Sequence, residues 1–119
     1  MSLAFTLSRL ERLKKKKEFS DVYNTGKRYS APWFIMYFKK APGPGPEGSK
    51  LGIVASRKVG SAPQRNYLKR VLREAYRQNK HRLKSPTLIV LVLKPAARKI
   101  TGAMLQPAFI DLCQKAHLI

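Results

Sequence analysis

The spacing of hydrophobic and polar positions marks out the elements in turn. Between Lys17 and Asn24, Phe19, Val22 and Tyr23 recur at i, i+3 and i+4, which predicts a short amphipathic helix stopped at Gly26. Trp33-Phe34-Ile35-Met36-Tyr37-Phe38 is short, aromatic and β-branched, which predicts a strand ended by the charges of Lys39 and Lys40. Residues 41–49 (APGPGPEGS) carry proline or glycine too often for helix or inner strand. They predict an exposed loop at the tip of a long hairpin, with residues 51–56 as the return strand. A basic turn over 57–63 then leads into a helix reaching Asn79 or Leu83, with Pro63 in its first turn and Ser61 or Ala62 near its cap. Thr87 to Leu93 is a continuous apolar run, the pattern of a strand covered on both faces. Thr101 is a candidate cap for a last helix with Met104, Leu105, Ala108, Phe109 and Leu112 on one face. The order is helix, hairpin, helix, strand, helix, and a strand–helix–strand unit joining residues 51–56 to 87–93 suggests an α+β sandwich with helices packed on a central sheet. No internal repeat interrupts it, and residues 1–119 form one domain with a single core.

Composition changes the picture through charge. Lys and Arg number 25 against 6 Asp and Glu, a formal net charge of +19. Such an excess costs folding free energy through self-repulsion, which points to a polyanionic partner, nucleic acid first and a membrane surface second. No apolar run approaches the ~20 residues that would span a bilayer. The first residues place mildly apolar positions before the basic ones, the reverse of a secretory signal. The single Cys113 cannot close an internal disulfide, which suits a reducing cytoplasm, and it lies on an apolar helix face as a small hydrophobe. The basic arm over residues 1–16 has two readings, a solvated lead-in to the first helix or a direct phosphate contact.

The charge concentrates on the middle helix. At ~100° per residue, Leu68, Val71, Leu72, Ala75 and Tyr76 share one arc roughly 100–140° wide, the core face. Arg65, Lys69, Arg73 and Arg77 follow each other at i+4, with Asn66 and Arg70 adjoining, on arcs that turn away from the core. Tyr67, Glu74 and Gln78 make a near-neutral flank. Residues 57–84 hold ten Lys and Arg and one acid, Glu74. A merely soluble helix intersperses the two signs, because like charges at i, i+4 cost a few tenths of a kcal/mol each. Segregation on this scale is relieved by nucleic acid, with counterion release supplying affinity. Asn66 is the odd member: it serves the helix start near Pro63, or it offers an amide to a base edge, a 2′-OH or a hydrated metal ion.

Aromatic side chains form a second constellation before residue 40. Strand alternation sends Trp33, Ile35 and Tyr37 to one side and Phe34, Met36 and Phe38 to the other, so one set packs on helices and the other is open to stack on bases. Protein-based catalysis has no candidate group. His81 and His117 are isolated, and Glu11, Glu18, Asp21, Glu47, Glu74 and Asp111 are scattered without metal-ligand spacing.

Leu51-Gly52-Ile53-Val54-Ala55-Ser56-Arg57-Lys58-Val59-Gly60, then Ala62, then Arg65-Asn66-x-x-Lys69-Arg70-x-x-Arg73-Glu74, resembles the signature of the protein subunit of bacterial ribonuclease P. Arg12-Leu13-Lys14, Phe19, Val22-Tyr23, Gly26-Lys27-Arg28, the aromatic strand to Tyr37 and the strand ending Lys94-Pro95-Ala96 extend the resemblance over nearly the whole chain. One departure stands out: the family signature usually opens Arg-Asn-Arg, and Tyr67 replaces its last arginine. The resemblance implies a central, mostly antiparallel four-stranded sheet in the order α-β-β-β-α-β-α, with a left-handed βαβ crossover. It implies a partner RNA that is itself the catalyst and, with Mg²⁺ held on that RNA, removes the 5′ leader of precursor tRNA. The protein then supplies no nucleophile and binds no metal alone, and neither a membrane nor a further protein partner is implied. Arg57, Lys58, Arg65, Asn66, Lys69, Arg70 and Arg73 would contact the catalytic RNA or the substrate, with Arg77 extending that helix face. Phe19, Tyr23, Ile35 and Tyr37 would line a cleft for the single-stranded leader. Basicity alone also admits a ribosomal or DNA-compacting protein and a free-standing protein nuclease.

Overall fold

A strand that is apolar on both faces has to be interior, and this rule organises the sheet. The computed structural model describes residues 12–41 and 48–119. Thr87–Leu93 (β4) is buried along almost its whole length. It lies between Phe34–Lys40 (β2), to which it is antiparallel, and Lys50–Val54 (β3), to which it is parallel. Lys27–Ser30 (β1) pairs antiparallel with the far side of β2, giving the order β1-β2-β4-β3.

The hairpin expected between β2 and the strand after the proline–glycine loop is therefore absent. Pairing β2 directly with β3 would leave the most apolar strand at an edge, with both faces and one backbone row exposed. Inserting β4 removes that cost and makes β3, helix and β4 a parallel crossover unit. The loop itself, over residues 41–49, lies for the most part outside the described residues, as does most of the basic arm. Strand β1 has no hydrophobic alternation in its Lys-Arg-Tyr-Ser sequence, as befits a charged edge strand.

The register sorts side chains between two cores. Phe34, Met36 and Phe38 with Ile89, Leu91 and Leu93 face Ala62–Asn79 (α2) and Gly102–Lys115 (α3). Leu68, Leu72, Ala75 and Tyr76 come from α2 and Leu105, Phe109, Leu112 and Cys113 from α3. Each fully buried Leu or Phe contributes roughly 1.5–3 kcal/mol. Met104, expected on that inner face, is 54% exposed. The buried stripe of α3 runs through 105, 109, 112 and 113, and Met104 lies one step of ~100° off its axis. Burial pushes the Cys113 thiol up to about 12, so it carries almost no thiolate at neutral pH. A thiol reagent should accordingly label Cys113 only when the chain unfolds, and rapid labelling of the native protein would contradict this packing.

Lys16–Thr25 (α1) lies on the opposite face, over a smaller core of Leu13, Val22, Ala41, Leu88 and Val90. Glu18 accepts from the backbone N–H groups of Lys14 and Lys15, which caps the helix start. The same carboxylate meets Lys50 of β3 at 3.1 Å, and Asp21 meets Lys39 of β2 at 2.8 Å. Partly exposed pairs of this kind are worth ~0–1 kcal/mol each, so they set the orientation of α1 more than its stability. Gly26 makes the tight exit: a Cβ there would come 2.5 Å from the Val22 carbonyl oxygen and 2.6 Å from that of Phe38.

Candidate nucleic-acid interface

Helix α2 begins where its sequence asks it to. Gly60 has φ +144°, a backbone that side chains rarely adopt, and Ser61 accepts from the Gln64 N–H at 3.4 Å with Pro63 in the first turn. Arg57 and Lys58 sit on the exposed 3-10 turn just before it. Along α2, Asn66 and Arg70 are exposed, while Arg65, Lys69, Arg73 and Arg77 are half-buried. The basic face is thus real, but its i+4 row lies at the border of the core.

Arg77 differs from the rest. Its Nη2 and Nε donate to Glu74 at 2.6 and 3.1 Å, which holds the Glu74 carboxyl below its ordinary range and raises Arg77. Among the described residues, no other member of the predicted basic set is paired with a carboxylate.

Phe19, Tyr23 and Tyr37 gather on the α1 side of the sheet, whereas Phe34, Phe38, Tyr29 and Trp33 pack on the α2 and α3 side. Tyr23 meets Tyr37 edge to face at 4.8 Å between ring centroids, and Phe19 lies 6.5 Å from Tyr23. Burial, and secondarily Tyr37, raises the pKa of Tyr23. Register places Arg28, Tyr37, Val90 and Gly52 in one row across the four strands, and Ser30, Ile35, Val92 and Val54 in the next. Helix α1 contributes Phe19 and Tyr23 beside the first row; the second row, with Ile35, is half-buried apart from exposed Ser30. All four residues expected to line a cleft therefore belong to one surface.

Three residues outside the expected set join the site. The Arg28 guanidinium stands 5.9 Å from the Tyr37 ring centroid, a contact that exists only through the β1–β2 register. Gly52 leaves room for Phe19: a Cβ there would fall 2.6 Å from a ring carbon. Arg12 bridges to Leu51 along the free edge of β3, with Leu13 N–H donating to the Leu51 carbonyl at 3.0 Å.

That edge is where the two constellations meet. A hollow of about 130 Å³ is lined by Arg12, Lys69 and Arg73 together with Phe19, Leu51 and Gly52. Burial, then the neighbouring Arg12, lowers the Arg73 pKa from its ordinary value. Cations pressed together in a partly desolvated hollow are relieved by an anion. No three His, Cys, Asp or Glu side chains gather as metal ligands among the described residues, and Glu18, Asp21 and Glu74 are each held by a cation. Among the same residues, no helix is long and apolar enough to cross a membrane.

The chain is thus a small α+β protein whose basic helix face continues around a sheet edge into an aromatic surface. The family model described as Ribonuclease P matches residues 7–117. The ribonuclease P protein component of Desulfatibacillum aliphaticivorans is 39% identical over 93 residues, 78% of this chain and 76% of that protein. The one from Dictyoglomus turgidum is 38% identical over 112 residues, 92% and 91% of the two chains. The fold is similar to a mutant Staphylococcus aureus RNase P protein (TM-score 0.82, 26% identity, 92% and 90% covered) and to the Thermotoga maritima RNase P protein (0.76, 28%, 88% and 96%). The chain belongs to the ribonuclease P protein component family, and is thereby part of a tRNA-processing ribonuclease.

Proposed function

We propose that the chain is the RNA-binding subunit that assists a catalytic ribonuclease P RNA in removing the 5′ leader of precursor tRNA in the cytoplasm. The observation that carries this reading is the hollow at the β3 edge, where Phe19 of the aromatic surface and Arg12, Lys69 and Arg73 share one wall. A single strand leaving the tRNA has bases that stack and phosphates that seek cations, and both are served along one path. Phe19, Tyr23, Ile35 and Tyr37 take the leader. Arg57, Lys58, Arg65, Asn66, Lys69, Arg70 and Arg73 hold the catalytic RNA or the substrate near the cut, with Arg77 at the end of the row. The protein binds, orients and neutralises; bond cleavage belongs to the RNA and its Mg²⁺.

Reconstitution tests this. Purified protein is added to a bacterial ribonuclease P RNA and precursor tRNA at limiting Mg²⁺, where neutralisation by protein matters most. Faster 5′-leader removal is expected. Absence of stimulation would sink the reading, and cleavage by the protein without RNA would replace it with a protein nuclease.

A further inference from the structure

We propose that Tyr67 and Arg70 form a rigid ledge on α2 that stacks one unpaired nucleobase of the RNA partner. The proposal rests on the RNA-binding reading above and adds to the basic face a contact that phosphate attraction does not provide.

Tyr67 projects from the basic helix α2. Tyr67 is 42% exposed, and only Tyr23 and Met104 share that condition among the large hydrophobic residues described. Tyr23 is part of the aromatic surface already described. Tyr67 is on the basic helix instead, with the Arg70 guanidinium 5.7 Å from its ring centroid.

The far end of the ring reaches α3. A Cβ on Gly102 would come 2.6 Å from the Tyr67 hydroxyl oxygen and 3.2 Å from a Val71 methyl. The hydroxyl thus lies against the first turn of α3, in space that a glycine leaves open. A ring docked at one end and open elsewhere is pre-organised, so little entropy is lost when a base covers it. Every base offers a π-face to the free side of such a platform, and the planar guanidinium over the ring can stack on or donate to the same nucleotide. A plain spacer between α2 and α3 would have no reason to leave so much of its ring in water beside a cation.

The test uses the full chain and a bacterial ribonuclease P RNA, with Kd measured across a salt series. Tyr67→Leu keeps an apolar contact with α3 but removes the ring. It should weaken binding roughly 5- to 150-fold, the range of a base–aromatic stack, with the salt slope unchanged because a stack releases no counterion. Tyr67→Phe should stay close to wild type. Tyr67→Arg should steepen the slope by about one unit, having added a phosphate contact. Gly102→Ala keeps Tyr67 in the sequence but displaces its hydroxyl end, and should weaken binding in the same salt-independent way. It does so without threatening the fold, since alanine suits a helix better than glycine. The proposal is overturned if both Tyr67→Leu and Gly102→Ala bind like wild type. It is equally overturned if the loss comes with a slope flattened by about one unit, since Tyr67 would then act only through Arg70. Wild-type binding that is weak and insensitive to salt would instead remove the RNA-binding reading itself.

Discussion

Replacing Lys69 and Arg73 together by glutamine lowers affinity for a ribonuclease P RNA by about 100-fold or more and flattens the salt dependence by about two units. The magnitude follows from two charge-assisted contacts, each worth ~1.5–3 kcal/mol, and from two phosphates no longer neutralised. Both side chains line the hollow that Arg12 closes at the edge of β3. The same variant should melt no lower than wild type. Arg73 is desolvated and repelled by Arg12 in the free protein, so its charge is a burden that only a bound anion relieves. A merely structural role would show the opposite pattern, a lower melting temperature with an unchanged salt slope. Titration of RNA binding across a salt series, paired with thermal unfolding, separates the two.

The parts of this site differ in how far they could be read from the chain alone. The basic face of α2 was legible because helical periodicity converts sequence spacing directly into angle, and Leu68, Leu72, Ala75 and Tyr76 are buried as that count requires. Strand β4 was legible for a similar reason, since an apolar run covered on both faces has few places to go. Its position between β2 and β3 was not. Pairing is a choice among partners distant in sequence, and a short connection made the β2–β3 hairpin look nearer than the crossover. Strand β1 was invisible to hydrophobic pattern because an edge strand needs no apolar alternation. Gly52 and Arg12 became part of the site only through register and edge contact, which no local window contains.

The family resemblance supplied the identity of the partner and the roles expected of Arg57 to Arg73. The geometry added that the aromatic surface and the basic helix are contiguous, with Phe19 on both sides of the join. It also set Arg77 apart, since its guanidinium already has the Glu74 carboxylate at 2.6 Å. The expectation that follows is graded: among single neutralisations, Arg77 should matter least for the salt slope.

Gly52 offers the sharpest test of that join. Valine at this position places a Cβ 2.6 and 2.7 Å from two Phe19 ring carbons and 3.2 Å from Leu13 Cβ. The ring end can swing away, whereas Leu13 is tied by its backbone bond to Leu51. The chain should therefore still fold, losing about 1–3 kcal/mol as overpacked cores do, seen as a lower denaturant midpoint at unchanged slope. The functional loss should be larger than the structural one. With Phe19 expelled, the preference for leader-bearing precursor over mature tRNA should fall towards unity, while the salt slope set by α2 persists. Adding Phe19→Ala to Gly52→Val removes the clash and should recover part of the stability, a favourable coupling between contacting residues. It should recover none of the leader preference, because the ring itself is gone. If the double variant regained that preference, Phe19 would be a packing residue only, and the leader path would have to run elsewhere on the sheet.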